Sequence, residues 1–419
     1  MATFADIIKK KKKEWDCPDL MDKSHQSRGP RIPYSSPMMN HSTYGGIPRG
    51  KIIEYYGAPG GGKSTTAVDN CKQAFVLFKE EFENQVAELR NQITAGKKQL
   101  SGELEDLLDR GPKKILYIDL EHSFDDEWCK TIGLDPNEIE IMSPPDLPAE
   151  EILEMVLEII ATGEVGLLVL DSIPSLVPKT ELEKKIGEKT VAALAGLLNV
   201  FYRKLVPLCT RYDCTYIAIN QIRDNMDNPY DVKTPGGMAP KFYASLRILF
   251  QIGKPVDFLG NELAMNAEDP AGYIIKAKIT KQKTAPNDRK IGTYYLMAKS
   301  GIREDFDFAL LAVNKYGIIR KSGGWFTICD PFTGEIMLND AGNPLKINGM
   351  AKVYDFLKND SNYYNRLKSF ITQDISGEDP VDNFVEDTEI EDSISSESSE
   401  SDENSNISDV SSNEDESHE

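Results

Sequence analysis

The string Gly57-Ala58-Pro59-Gly60-Gly61-Gly62-Lys63-Ser64 follows directly on an apolar run, Lys51 to Tyr56, that reads as a strand. Thr65 to Phe75 behind it reads as a helix. A strand that turns through glycines into a helix start, in the pattern Gly-x-x-x-x-Gly-Lys-Ser, is a phosphate-binding loop. Its glycines let successive backbone N–H groups point inward at phosphate oxygens. Lys63 then reaches the β- and γ-phosphates and the Ser64 hydroxyl ligates Mg²⁺, with Thr65 adjoining. A nucleotide with Mg²⁺ is the expected ligand, and a flexible glycine turn is the plain alternative.

Further apolar runs recur at Ile115 to Leu120, Glu138 to Met142, Leu167 to Asp171, Thr215 to Asn220 and Leu246 to Gln251, mostly separated by helical patterns. Continuous apolar strands alternating with helices predict an α/β fold around a buried, mostly parallel sheet. Tyr273 to Lys283 and Thr293 to Ala298, joined by the turn Pro286-Asn287-Asp288, read as a hairpin that extends it. One segment interrupts this plan. Phe75, Phe78, Phe82, Val86, Leu89 and Ile93 step by three and four, then Gly96 intervenes, then Leu100, Leu104 and Leu107 follow. That periodicity predicts a helical hairpin inserted over residues 75–112. It either packs on the sheet or projects toward a partner.

The net charge of −20 is unevenly spread. Residues 374–419 hold 18 of the 68 acidic residues and none of the 48 basic ones, so the rest of the chain is close to neutral. This serine-rich acidic tail carries too few apolar side chains to offset the entropy of ordering, and disorder is expected there. At the other end, Phe4, Ile7 and Ile8 beside Lys9 to Lys13 predict a short basic helical arm, with a polar linker to residue 32. The core is expected over residues 33–330 and a small C-terminal lobe over 331–373. No apolar run approaches the length of a membrane helix, and six scattered cysteines without CxxC spacing fit a reducing cytoplasm.

Two acidic strand exits carry further chemistry. Leu167-Leu168-Val169-Leu170-Asp171 ends an apolar strand in a carboxylate suited to hold Mg²⁺ together with Ser64. Ile118-Asp119-Leu120-Glu121-His122 ends another, where a carboxylate can orient or activate water; a surface acid or a helix cap is the alternative.

Asp119-Leu120-Glu121-His122, Asp171-Ser172 continuing through Pro178-Lys179, and Asn220-Gln221-Ile222-Arg223 occur in order along the chain. Gly236-Gly237 leading to Lys241-Phe242-Tyr243-Ala244-Ser245-Leu246-Arg247, and Lys281-Gln282-Lys283-Thr284-Ala285-Pro286, follow them. With the phosphate loop, this sequence of motifs resembles the RecA family of homologous recombinases, of the phage-encoded kind, over roughly residues 33 to 330. It does not reach the 75–112 insertion or the tail.

The resemblance implies an ATP-dependent recombinase and DNA-dependent ATPase. Such a protein forms a helical filament on single-stranded DNA, pairs it with homologous duplex DNA, and acts in recombination and repair in the cytoplasm, the host's for a phage protein. A mediator or single-strand-binding protein joins the implied partners. Glu121 is the implied catalytic carboxylate, Gln221 the γ-phosphate sensor, Asp125 and Trp128 the adenine contacts, and Lys281 and Lys283 the cations that reach a neighbouring subunit's ATP. Two loops, about Lys179 to Thr190 and Arg223 to Gly237, are the implied DNA contacts. Arg203, Arg223, Lys233, Gly236 and Gly237 are the implied DNA-binding residues, with Lys204 and Arg247 supplying further positive charge. Gly196 and Val191 depart from the family, which has a basic residue and a methionine there. A RecA-like hexameric helicase and a RecA-like regulatory ATPase without strand exchange stay open as alternatives.

Overall fold

The structure, a computed structural model, describes residues 3–14, 29–185, 193–222, 233–377 and 380–381. Two short strands, β1 (Arg31–Ile32) and β2 (Ile47–Pro48), pair antiparallel ahead of the main sheet. The main sheet begins with six strands: β3 (Ile52–Gly57), β4 (Lys114–Asp119), β5 (Glu140–Met142), β6 (Val165–Asp171), β7 (Thr215–Gln221) and β8 (Leu246–Val256). Then come β9 (Gly272–Gln282), β10 (Ile291–Met297) and β11 (Gly301–Ile302). Their order across the sheet is β11-β10-β9-β8-β3-β7-β6-β4-β5. The six strands from β8 to β5 run parallel, and the hairpin of β9 and β10 is added antiparallel to β8.

Alternation within the strands explains why both faces are covered. Ile53 and Tyr55, Ile115 and Tyr117, and Leu167 and Val169 point to one face, where Ala67, Val68, Cys71, Ala74 and Phe78 of the helix Lys63–Thr94 meet them. Ile52, Leu116, Ile118, Leu168 and Leu170 point to the other, against Ile152, Val156 and Ile160 of Ala149–Ala161 and Leu198, Phe201 and Leu205 of Ala193–Tyr212. Burial on both faces is what a parallel sheet requires. The five cysteines among the described residues are free and buried.

The expected helical hairpin is present, and its first arm is continuous with the phosphate-loop helix. Lys63–Thr94 runs 32 residues without a break, about 48 Å at 1.5 Å per residue. The six residues of β3 span only about 20 Å. The helix therefore outruns the sheet past the edge opposite the phosphate loop. Gly96 (φ 106°) turns the chain, and Ser101–Arg110 brings it back to the start of β4. In the outer part of the hairpin only Val86 is buried, because two helices alone share little apolar surface.

Beyond the main sheet, β12 (Ile319–Ser322), β13 (Trp325–Ile328) and β14 (Lys346–Asn348) form an antiparallel sheet. It packs with Glu304–Leu311, Met350–Asn359 and Ser361–Ser376 around Phe306, Ile319, Phe326, Val353 and Leu367. Phe306 stacks on Tyr354 at 4.0 Å and meets Tyr295 of β10 edge-on at 5.2 Å, so this small core is joined to the main sheet. The residue 331 boundary read from sequence falls between β13 and β14. The last helix runs to Ser376, and Asp374 within it accepts a hydrogen bond from the Tyr316 hydroxyl at 2.7 Å, so ordered chain passes the expected tail start at 374. Residues 382–419 lie outside the described part, as do 186–192 and 223–232, which hold the end of the first expected DNA loop, most of the second, and Val191 and Arg223. At the N-terminus Phe4–Glu14 is helical, with Phe4 82% exposed. No helix among the described residues is long and apolar enough to cross a membrane.

Candidate nucleotide site

The fully buried strand β3 delivers Gly57 to its end beside β8, where a Cβ would fall 2.2 Å from the Phe250 carbonyl oxygen. Only glycine permits that approach. Gly62, at φ 87°, then turns the chain into the helix through a left-handed conformation that other residues rarely adopt. No side chain caps this helix, so its first N–H groups are left for an anion. The Lys63 ammonium folds back over the loop and donates to the Ala58 carbonyl at 2.8 Å. Burial lowers its pKa, while Asp171 and Glu121 pull it back up.

The acidic strand exits converge on the same edge. Register places Asp119 level with Asp171 and Gly57 level with Gln221. Asp171 is 4% exposed and accepts from the Tyr117 hydroxyl at 2.6 Å. Burial pushes its carboxyl up from the usual range, and the hydroxyls of Tyr117 and Ser64 pull it down. Asp119 is spent on the backbone: it accepts from the N–H groups of Glu121, Ser123 and Phe124 at 3.1, 2.8 and 2.9 Å. Those bonds fold the loop that presents Glu121. The Glu121 Oε1 atom then accepts from the Ser172 hydroxyl and from Gln221 Nε2 at 3.1 Å. Three strand ends, those of β4, β6 and β7, thus meet at one carboxylate oxygen.

Asp125 caps the helix Asp126–Ile132, accepting from the Trp128 N–H at 3.0 Å. The Trp128 indole N–H donates to Thr65 Oγ1 at 3.2 Å, which docks the ring beside the helix start. Ser64, Thr65, Asp125, Trp128 and Asp171 line one cleft, and Tyr117 forms part of its wall. Two of these functional contacts, from Ser172 and Tyr117, were not assigned from the sequence. The signal that could have found them is strand register: Ser172 sits one residue beyond Asp171, and Tyr117 lies two before Asp119.

Lys281 and Lys283 lie elsewhere. Lys281 pairs with Arg247, which pairs with Glu54, three residues before Gly57 and two strands away. At about 3.3 Å per residue and 4.8 Å per strand, that is some 14 Å from the phosphate loop of the same chain. Lys281 donates to the carbonyls of Lys241 and Phe242 at 2.5 and 2.9 Å, and Lys283 to that of Phe242 at 3.2 Å. Burial, with the Lys283 charge close by, pushes Lys281 down to about 8.

Of the expected DNA contacts, Arg203 is exposed on the helix Ala193–Tyr212 and donates to the Asn199 carbonyl at 3.3 Å. Lys204 is exposed and pairs with Glu154 at 3.3 Å. Lys233 is exposed, and Gly236 and Gly237 form a left-handed turn in which a Cβ would meet Leu198 at 2.6 Å and Ala195 at 2.8 Å. Arg247 is a correction. It is 9% exposed, ion-paired to the buried Glu54 and set over the Tyr56 ring at 4.4 Å, so its charge is neutralised inside the protein rather than offered to DNA. Glu54 also accepts from Asn220 Nδ2 at 3.0 Å, so this pair ties β3, β7 and β8 together.

The residues fit a magnesium nucleotide. Ser64 is exposed at the helix start beside a buried carboxylate, and a cation there would complete its shell from phosphates and water, the usual habit of Mg²⁺. Among the described residues no cluster of three or more His, Cys, Asp or Glu could hold a metal by itself.

A family profile described as the RecA N-terminal domain matches residues 84–303. The match starts within the long helix and takes in Glu121, Asp171, Gln221, Lys281 and Lys283, the phosphate loop lying just ahead of it. The chain is 31% identical to the protein RecA of Thermus aquaticus over 286 residues, 68% of this chain and 71% of that one. It is 30% identical to the protein RecA of Bacteroides thetaiotaomicron over 295 residues, 70% of this chain and 75% of the relative. The glycine-to-helix turn, the strand-end carboxylates and these matches together place the chain in the RecA family.

Proposed function

We propose that this protein is an ATP-dependent DNA recombinase, a DNA-dependent ATPase that assembles as a helical filament on single-stranded DNA and pairs it with homologous duplex. A phage gene, with the product acting in the host cytoplasm, is part of that reading. The observation that carries it is the shared Glu121 oxygen, which joins the carboxylate beside the phosphate loop to Gln221, the last residue before the 222–237 segment.

In this reading the first N–H groups of Lys63–Thr94 bind phosphate oxygens, and Lys63 leaves the Ala58 carbonyl to reach the β- and γ-phosphates. Ser64 and Asp171 would hold Mg²⁺, which would supply charge neutralisation on the phosphates. Glu121 orients the attacking water and accepts its proton. A γ-phosphate competes with Glu121 for the Gln221 amide, and a Gln221 that turns away pulls on the segment beyond β7. That is how nucleotide state would reach bound DNA. Arg203 and Lys233 supply backbone charge contacts, which are sequence-independent and weaken with salt. Trp128 offers a ring face for a base.

Lys281 and Lys283 are too far from the phosphate loop of their own chain to act there. They act across a subunit interface, adding positive charge where negative charge develops on the transferred phosphoryl group. Lys281→Ala and Lys283→Ala should leave nucleotide binding by the protomer intact and lower DNA-stimulated hydrolysis about ten- to a hundredfold, the worth of one charge-assisted bond. Mixing either variant with Glu121→Gln protein creates interfaces with one intact carboxylate and one intact lysine pair, so turnover should partly return. Absence of any complementation would place the lysines in cis or outside the reaction.

The assembly is tested by electron microscopy of the full chain with single-stranded DNA and a slowly hydrolysed ATP analogue. Long filaments are expected. Discrete rings would favour a hexameric helicase, and neither form would favour a regulatory ATPase.

A further inference from the structure

Tyr117 is 2% exposed, yet its hydroxyl is not left in the core. It stands on β4 level with Val169 of β6, and its ring reaches along the neighbouring strand to donate to Asp171 Oδ2 at 2.6 Å. Phe124 holds the ring edge-on at 5.0 Å, and the Ser64 hydroxyl lines the same cleft and lowers the Asp171 pKa. A phenylalanine would fill the same space against Phe124. What the phenol adds is one hydrogen bond to a carboxylate that is itself 4% exposed. We propose that Tyr117 is a positioning residue for a divalent cation: it commits Oδ2 of Asp171 and so fixes the rotation of the carboxylate that lines the cleft with Ser64.

The inference rests on the nucleotide-site reading given above and names a residue that reading does not use. Its physical basis is pre-organisation. A carboxylate at a strand end can rotate about its Cβ–Cγ bond, and each rotamer that turns away from Ser64 must be abandoned when the cation binds. A donor anchored in the sheet removes those rotamers beforehand. Outer partners of this kind typically change metal affinity by 10- to 100-fold when removed. Tyr117 is 2% exposed and its hydroxyl is committed to Asp171, so its loss should leave metal-free nucleotide binding alone.

The test uses the full chain and a fluorescent ADP analogue, with MgCl₂ titrated into protein held first in EDTA. In Tyr117→Phe the Mg²⁺ concentration for half-maximal enhancement of binding should rise about tenfold, with affinity in EDTA unchanged. The same substitution in an Asp171→Ala background should then have no further effect, because the acceptor of the bond it removes is already gone. Coincident Mg²⁺ curves for wild type and Tyr117→Phe would overturn the proposal. So would an equal shift in the Asp171→Ala background, which would mark a general disturbance of packing. Wild-type binding that ignored Mg²⁺ altogether would overturn the metal site itself, and the inference with it.

Discussion

Lys63→Ala should lose tight ATP binding while keeping its fold. The ammonium is the cationic side chain of the loop and rests on the Ala58 carbonyl at 2.8 Å. Two phosphate contacts of a charged donor at about 1.5–3 kcal/mol each amount to about 3–6 kcal/mol, roughly a 10²- to 10⁴-fold loss of affinity. The fold should survive, because Lys63 is capped only by a local carbonyl and burial already disfavours its charged form. A lysine whose folded pKa lies below its unfolded value costs stability at pH below the folded pKa, and that cost fades as pH rises toward the unfolded value. Removing it should therefore leave thermal stability level or slightly higher near neutral pH. Equilibrium binding of a fluorescent ATP analogue beside a thermal melt checks both statements. Retained affinity and ATPase in a folded variant would sink the assignment of the loop.

How much of this was readable beforehand differs between elements for physical reasons. The strands of the main sheet announce themselves because each is buried on both faces and so is a nearly unbroken apolar run, as Val165–Asp171 is. The helix of the phosphate loop is continuous with the inserted hairpin, and a spacing of three and four from Phe75 to Ile93 carries that information locally. Chemistry set by one residue and its immediate neighbours was equally legible: the glycine turn, and the carboxylates at strand ends.

What the sequence hides is pairing between distant segments. Arg247 looks like a surface base; its partner Glu54 lies 193 residues earlier, on a strand whose other residues are all apolar or glycine. Asp119 and Glu121 look alike as acids at a strand exit, and only the three backbone donors that close on Asp119 separate the turn-former from the exposed carboxylate. Ser172 is the clearest case. Nothing about a serine after an aspartate announces a donor to Glu121, 51 residues earlier, until β4 and β6 are laid side by side.

That convergence gives the second large effect. Glu121→Gln should bind ATP and DNA as before and hydrolyse ATP about 10²- to 10⁴-fold more slowly, the range expected for a positioned acid–base group. A clean phenotype follows from the geometry. A glutamine carbonyl oxygen can occupy the place of Oε1 and still accept from Ser172 and from Gln221 Nε2, so the link between β4, β6 and β7 is preserved. Lost are the negative charge and the second acceptor that could take a proton from water. Because the bond to Gln221 persists, the segment beyond β7 should still respond to the γ-phosphate, and filaments formed with ATP should last longer than those of the wild type. Single-turnover hydrolysis measured beside filament lifetime distinguishes the outcomes. Slow chemistry with long-lived filaments is the expected pair; unchanged hydrolysis would move the catalytic role to another residue, and slow chemistry with filaments that fail to form would mean that Glu121 is needed to hold the site together rather than to act in it.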